Sequence, residues 1–292
     1  MNANKISIIT PAYHAQPFIV RCVNSVLDQA YANWEMLIVA DDGEDYQRLL
    51  AERGIADSRL RFLESPAIAA GSSLARNVAL DHAQGDYIAP LDATDLFYPD
   101  RLERLLHLAG SWGMAGDNVL AVDDLTHRTI NVLFDTRAFY HYLDPETYVD
   151  ISIPMLFLFR RDVIEAPWDD LQMGADTLFN LRAMENASGI PVISDYLHEY
   201  RVRNNSVCHS DNACSRAEAA YSRALVELDI HGLGFKTVRY RSLVKQMLTE
   251  KLRLNQRFSE AYEQGLCENF QQFLSLQPHN RQRHYASRSL WR

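Results

Sequence analysis

Two short acidic stretches, "VADDG" (39–43) and "LDATD" (91–95), hold the residues best suited to chemistry in this chain. Each follows an apolar run, so Asp41, Asp42, Asp92 and Asp95 fall just past the ends of two expected strands. Ionised carboxylates accept hydrogen bonds only, so they suit N–H donors or hard cations. An apolar strand running into acids and then a helix start can hold a metal and a phosphate. In the second stretch two residues, Ala93 and Thr94, separate the acids. The spacing leaves a metal site, a damaged metal site and a plain turn open. Asp41 and Asp42 also suit a turn or cap before the next helix.

The positioning elements can be read from periodicity. "KISIITPAY" (5–13) is a continuous apolar run ended by proline, as for a strand buried on both faces. Phe18, Ile19, Cys22, Val23, Val26 and Leu27 recur at helical spacing, predicting a helix over 16–30 with Cys22 in the core. Further strands are expected over 35–43, 59–65 and 87–92, with helices over 46–53, 72–83 and from Pro99. Strand–helix alternation of this kind gives an α/β fold with a parallel sheet covered on both faces. Such sheets bind ligands at the carboxyl ends of their strands, where the four aspartates fall. Beyond this, 118–125 and 129–134 read as a hairpin, 175–185 as a helix and 190–202 as a strand. From 215 the pattern is helical, with Leu243, Met247, Leu248 and Leu252 as a stripe within 235–264.

The 292 residues carry a net charge of −9, which argues against nucleic-acid binding. The four cysteines show no C-x-x-C pair; Cys208 and Cys214 could close a loop. Neither a signal peptide nor a run long enough to span a membrane is visible, so a cytoplasmic location is expected. The tail 277–292, with four arginines, Tyr285, Trp291 and no acid, suits either a disordered end or contact with an anionic inner-membrane surface.

Taken in order, "ISIITPAYHAQPFIVRCVNSVLDQAYANWEMLIVADDG", "GSSLARNVALDHAQGDYIAPLDATD" and "YPDRL" resemble the family 2 glycosyltransferases of the GT-A fold, over about 5–205. The resemblance implies a Rossmann-like, mainly parallel sheet flanked by helices. It puts a GT-A domain at 1–214, with a nucleotide half to about 97 and an acceptor half from 98 to 214. Residues 215–292 are then a helical extension, either a packed appendage or an acceptor-binding or dimer-forming element. By the same resemblance, Thr10, Pro11, Tyr13, Asp41, Asp42, Arg76 and Asp92 line the site of a nucleotide-sugar donor, UDP-linked by expectation. Arg201 and Arg203, in "HEYRVRNNS", would approach the diphosphate from one strand face. Asp176 in "GADTL" would be the general base that deprotonates an acceptor hydroxyl of a glycan or glycolipid during inverting transfer.

Two departures from the family pattern stand out. Thr94 replaces the acid that would hold Mn²⁺ or Mg²⁺, which leaves Asp92 and Asp95 as expected metal ligands. Ala175 replaces the glutamate before the base. They leave open compensation by those acids, a metal-free reaction supported by arginines, and a non-catalytic nucleotide-sugar binding or scaffold protein.

Overall fold

A computed structural model describes residues 4–134, 140–151, 155–203 and 213–267, together with 273 and 276. The chain divides into two compact units, Met1–Asp170 with Ala175–Arg201, and Leu171–Gly174 with Val202–Arg292.

The first unit is built on a mixed sheet. Strands β1 (Ile6–Ala12), β2 (Trp34–Ala40), β3 (Leu60–Glu64) and β4 (Tyr87–Pro90) pair in parallel in the order β3-β2-β1-β4. All seven residues of β2 are buried, the pattern of a strand covered on both faces. The intervening helices are α1 (Ile19–Leu27), α2 (Tyr46–Glu52) and α3 (Ser72–His82). On α1 the buried positions are Ile19, Cys22, Val23 and Val26, one stripe at helical spacing. This helix is shorter than the 16–30 expected, because residues 13–18 turn away from β1 first.

Parallel pairing stops at β4. Strand β5 (Leu96–Phe97) and helix α4 (Arg101–Trp112) lead to the hairpin of β6 (Met114–Asp123) and β7 (Thr129–Val132). Strand β6 begins four residues before the expected position. Gly113, at φ 94°, closes α4 and sends the chain directly into the sheet. Strand β8 (Tyr140–Tyr142), helix α5 (Pro145–Tyr148), strand β9 (Leu158–Arg160), helix α6 (Ala175–Asn186) and strand β10 (Pro191–Val202) follow. Here β9 joins β4 and β6 antiparallel, and β10 joins β5 and β8 antiparallel. The β5–β10 pairing sets His198 opposite Phe97 and Glu199 opposite Leu96. It thereby lays β10 beside the end of "LDATD".

The second unit holds α7 (Ala213–His231) and α8 (Val238–Glu263), packed against each other. Ala217, Ala220, Ala224 and Leu228 form the buried stripe of α7; Tyr240, Val244, Met247 and Leu248 form that of α8. Val244 takes the core position expected for Leu243, which is half-buried like Leu252. Cys208 and the tail 277–292 lie outside the described residues.

Candidate active site

The site at the sheet's carboxyl edge is organised by Arg76. It sits on α3, whose Ala75 and Ala79 are fully buried and bring the helix close to the sheet. The helix start is fixed by Asp41, which accepts from the backbone N–H groups of Ala70 (3.0 Å) and Gly71 (2.9 Å). Its own carbonyl accepts from Ala69, which has φ 58°. Asp41 is 3% exposed, and both its carboxylate oxygens are held by backbone.

The Arg76 guanidinium, itself buried, lies 2.5 Å from Oδ1 of Asp92 and 3.2 Å from Oδ1 of Asp176. Burial alone would push its pKa down. The charges of Asp176 and Asp92, with Asp95 behind them, outweigh that and hold it above the ordinary arginine value. Asp92 and Asp176 remain 37% and 43% exposed, and their Oδ2 atoms accept no hydrogen bond among the described residues. Two carboxylates with an open oxygen each thus flank one fixed cation.

Sequence reading did not single out Trp168, which holds Asp176 in place. Its indole Nε1–H donates to Oδ1 of Asp176 at 2.8 Å. Its ring stacks on Phe179 with centroids 3.5 Å apart and planes 7° apart. The Asn77 side chain donates to Trp168 O and accepts from Trp168 N, both at 2.8 Å. The signal was present: Asn77 follows Arg76 in "LARN", and Phe179 follows Asp176 at helical spacing. The contact nevertheless joins positions 91 apart, a separation no local pattern reports. Helix α6 is further anchored by Asn180, which donates to Tyr148 Oη and Met155 O, and by the Arg182–Asp169 ion pair at 2.8 Å.

At the end of β1, Thr10 is fully buried and its hydroxyl has no partner among the described residues. Pro11 is half-buried and Tyr13 is 50% exposed, with the His14 ring 4.2 Å away. The Asp42 carboxylate is turned inward: it accepts from His14 N (2.6 Å), Tyr46 Oη (2.9 Å) and Glu44 N (3.2 Å). It braces the loop under Tyr13 and His14, the latter held at φ 50°.

Asp95 is also turned inward. It is 1% exposed, with Oδ2 3.1 Å from His198 Nε2 and Oδ1 accepting from Arg201 N at 3.0 Å. Burial raises its pKa, and the hydrogen bond and charge of His198 only partly oppose this. His198 is itself fully buried. The Arg201 side chain is 2.6 Å from Glu199 and within hydrogen-bond range of His127 Nδ1 at 2.9 Å; Asp124 lies 3.7 Å away. Arg203 lies one residue past the end of β10 and belongs to the second unit, so the expected shared face ends at Val202.

Divalent Mn²⁺ or Mg²⁺ needs several hard oxygen donors. Asp95 presents none, and Thr94 contributes only a neutral hydroxyl, 3.4 Å from Asp95 Oδ1. Asp92 presents Oδ2, beside a guanidinium. No group of three or more His, Cys, Asp or Glu side chains among the described residues is placed to hold a metal. Among the described residues, the side chains of this segment offer a divalent cation a single open carboxylate oxygen, Oδ2 of Asp92, short of a protein donor set for it.

The fold is an α/β sheet with acids gathered at the carboxyl ends of its parallel strands, the edge where such sheets bind ligands. A profile of glycosyl transferase family 2 matches residues 7–166, more than half of the chain, and the chain belongs to that family of glycosyltransferases. Relatives include TuaG of Bacillus subtilis, named for teichuronic acid biosynthesis: 29% identity, covering 69% of this chain and 81% of TuaG. Another is the Escherichia coli enzyme WfgD, named as a UDP-Glc:alpha-D-GlcNAc-diphosphoundecaprenol beta-1,3-glucosyltransferase. It is 42% identical over 34% of this chain and 38% of its own length. In structure the chain is similar to S. aureus TarS solved with UDP, with TM-score 0.59 at 16% identity over 89% of this chain and 92% of that one. That likeness is one of fold. No described helix is long and apolar enough to cross a membrane.

Proposed function

We propose that the chain transfers a sugar from a UDP-linked donor to a hydroxyl of a glycan or glycolipid, inverting the anomeric carbon, with Asp176 as general base. The observation that carries this reading is the state of Asp176. One oxygen is fixed by Trp168 and Arg76 while the other is open at the edge where Asp92 also ends. A base must be oriented and yet reachable, and this carboxylate meets both conditions. In the step, the acceptor oxygen bonds to the anomeric carbon as its proton passes to Oδ2 of Asp176. The bond from that carbon to the diphosphate breaks, and UDP departs with the bonding pair. The transition state carries oxocarbenium character, which anionic Asp92 and Asp176 favour.

The donor assignment draws support from WfgD, whose name specifies UDP-Glc, and from the TarS complexes with UDP and UDP-GlcNAc. The WfgD name also specifies a lipid-linked acceptor, so a glycolipid at a membrane surface is the acceptor class proposed, with peripheral contact there. Tyr13 is proposed to face the nucleotide, with Thr10 beneath it and Asp41 and Asp42 shaping its loops.

The test is Asp176→Asn. Loss of a general base should lower kcat by about 10²–10⁴-fold while UDP affinity is retained. Unchanged turnover in this variant would remove Asp176 from the mechanism.

A further inference from the structure

This inference rests on the nucleotide-sugar reading and concerns how the diphosphate is held. A leaving diphosphate needs positive charge beside it, and the described side chains around Thr94 fall short of a protein donor set for a divalent cation. Among the described residues, three arginines bond to the "LDATD" segment. Arg76 has 3% of its side chain exposed and lies between two carboxylates. Arg201 has 10% exposed and is committed to Glu199 and His127. Arg21 differs from both.

Arg21 lies in the first turn of α1, the helix that follows β1, so it stands at the same sheet edge. Its Nη2 donates to the backbone carbonyl of Thr94 at 3.3 Å and to Asp124 at 2.5 Å. Those bonds fix the guanidinium directly beside Thr94, and the Phe18 ring centre is 5.2 Å away. A guanidinium carries five N–H donors. Nε is buried without a hydrogen bond in all three arginines, but in Arg21 alone of the three Nη1 also makes no contact with an acceptor among the described residues. The side chain is 29% exposed. Asp124 takes part of its charge, yet the open Nη1 group points to an acceptor still to come. An acid at position 94 would place a second carboxylate near this arginine; threonine does not.

We infer that Arg21 grips the donor diphosphate where a divalent cation would otherwise sit, so that nucleotide binding by this chain does not require metal. Arginine suits the role because its planar fork matches paired phosphate oxygens.

The experiment is calorimetric titration of the full chain with UDP, once in excess EDTA and once in excess MnCl₂. The expected result is that affinity in EDTA stays within about threefold of that in Mn²⁺. Arg21→Gln should weaken UDP in EDTA by about tenfold or more, the effect of a lost charge-assisted hydrogen bond. Thr94→Asp should weaken binding in EDTA and make it respond to Mn²⁺. Thermal melts establish that each variant folds; if Arg21→Gln does not, the wild-type comparison and Thr94→Asp still decide. UDP binding only with Mn²⁺ would overturn the inference and leave the donor reading standing. Arg21→Gln binding as tightly as wild type would overturn it too. No UDP binding in either buffer would overturn both.

Discussion

Trp168→Phe separates orientation of the base from binding of the donor. The substitution keeps a ring over Phe179, now stacked at 3.5 Å, and removes the indole N–H that reaches Asp176 while leaving Arg76 in place. The main chain at 168 should hold its place, because Asn77 grips its N–H and carbonyl rather than its side chain. A hydrogen bond to a charged group is worth about 1.5–3 kcal/mol when buried. Asp176 is 43% exposed, so water recovers part of that and about 1 kcal/mol remains. In the transition state this amounts to a loss of about fivefold in kcat. The smaller ring also leaves space in a site that is 3% exposed, costing about 1–2 kcal/mol of global stability. That loss shows in the melting temperature and leaves UDP affinity unchanged. The assay pairs steady-state kinetics, run well below the melt, with UDP titration. A kcat within twofold of wild type, at roughly that precision, would refute Trp168 as the residue that orients the base. An equal loss in UDP affinity would place its role in donor binding instead.

Two further outcomes concern stability. Arg101 and Asp117 form a fully buried pair at 2.8 Å, with the guanidinium 4.1 Å from the Phe97 ring centre; Arg101→Met should cost about 3–5 kcal/mol in urea unfolding, because Asp117 is left buried without its cation. Glu35, buried within β2, is opposed by desolvation but receives bonds from Ser7, Gln84 N, Arg61 and Lys5, which together hold its pKa below the ordinary 4.5. A folded-state pKa depressed in this way contributes stability above the unfolded value and loses it as pH falls through the folded one. Glu35→Gln should therefore flatten the decline of the urea midpoint over about pH 5 to pH 3, and an unaltered slope would count against the assignment.

Several elements were legible because their signals are local. The four parallel strands announce themselves as short apolar runs, and α1 by a stripe that buries Ile19, Cys22, Val23 and Val26. The family motifs located the strand-edge acids for the same reason. The antiparallel half was harder to place. "GMAGDN" (113–118) lies almost wholly ahead of the strand expected from 118, yet it opens β6, because Gly113 at φ 94° allows an immediate reversal and the backbone at Gly116 packs against Phe157.

What sequence alone determined is the kind of chain this is: an α/β transferase with acids at its strand ends, threonine at 94 and an aspartate opening α6. Which oxygens face solvent was decided only by tertiary structure. Asp92 and Asp95 sit three apart in one turn, yet one is open and the other is 1% exposed. The difference comes from β10, whose His198 and Arg201 N–H, 103 and 106 residues away, draw Asp95 inward. The same holds for Arg21 beside Thr94 and Trp168 against Asp176. Each is a contact between residues from different segments of the chain, and a residue's hydrogen-bonding capacity is known only once its neighbours have claimed their share.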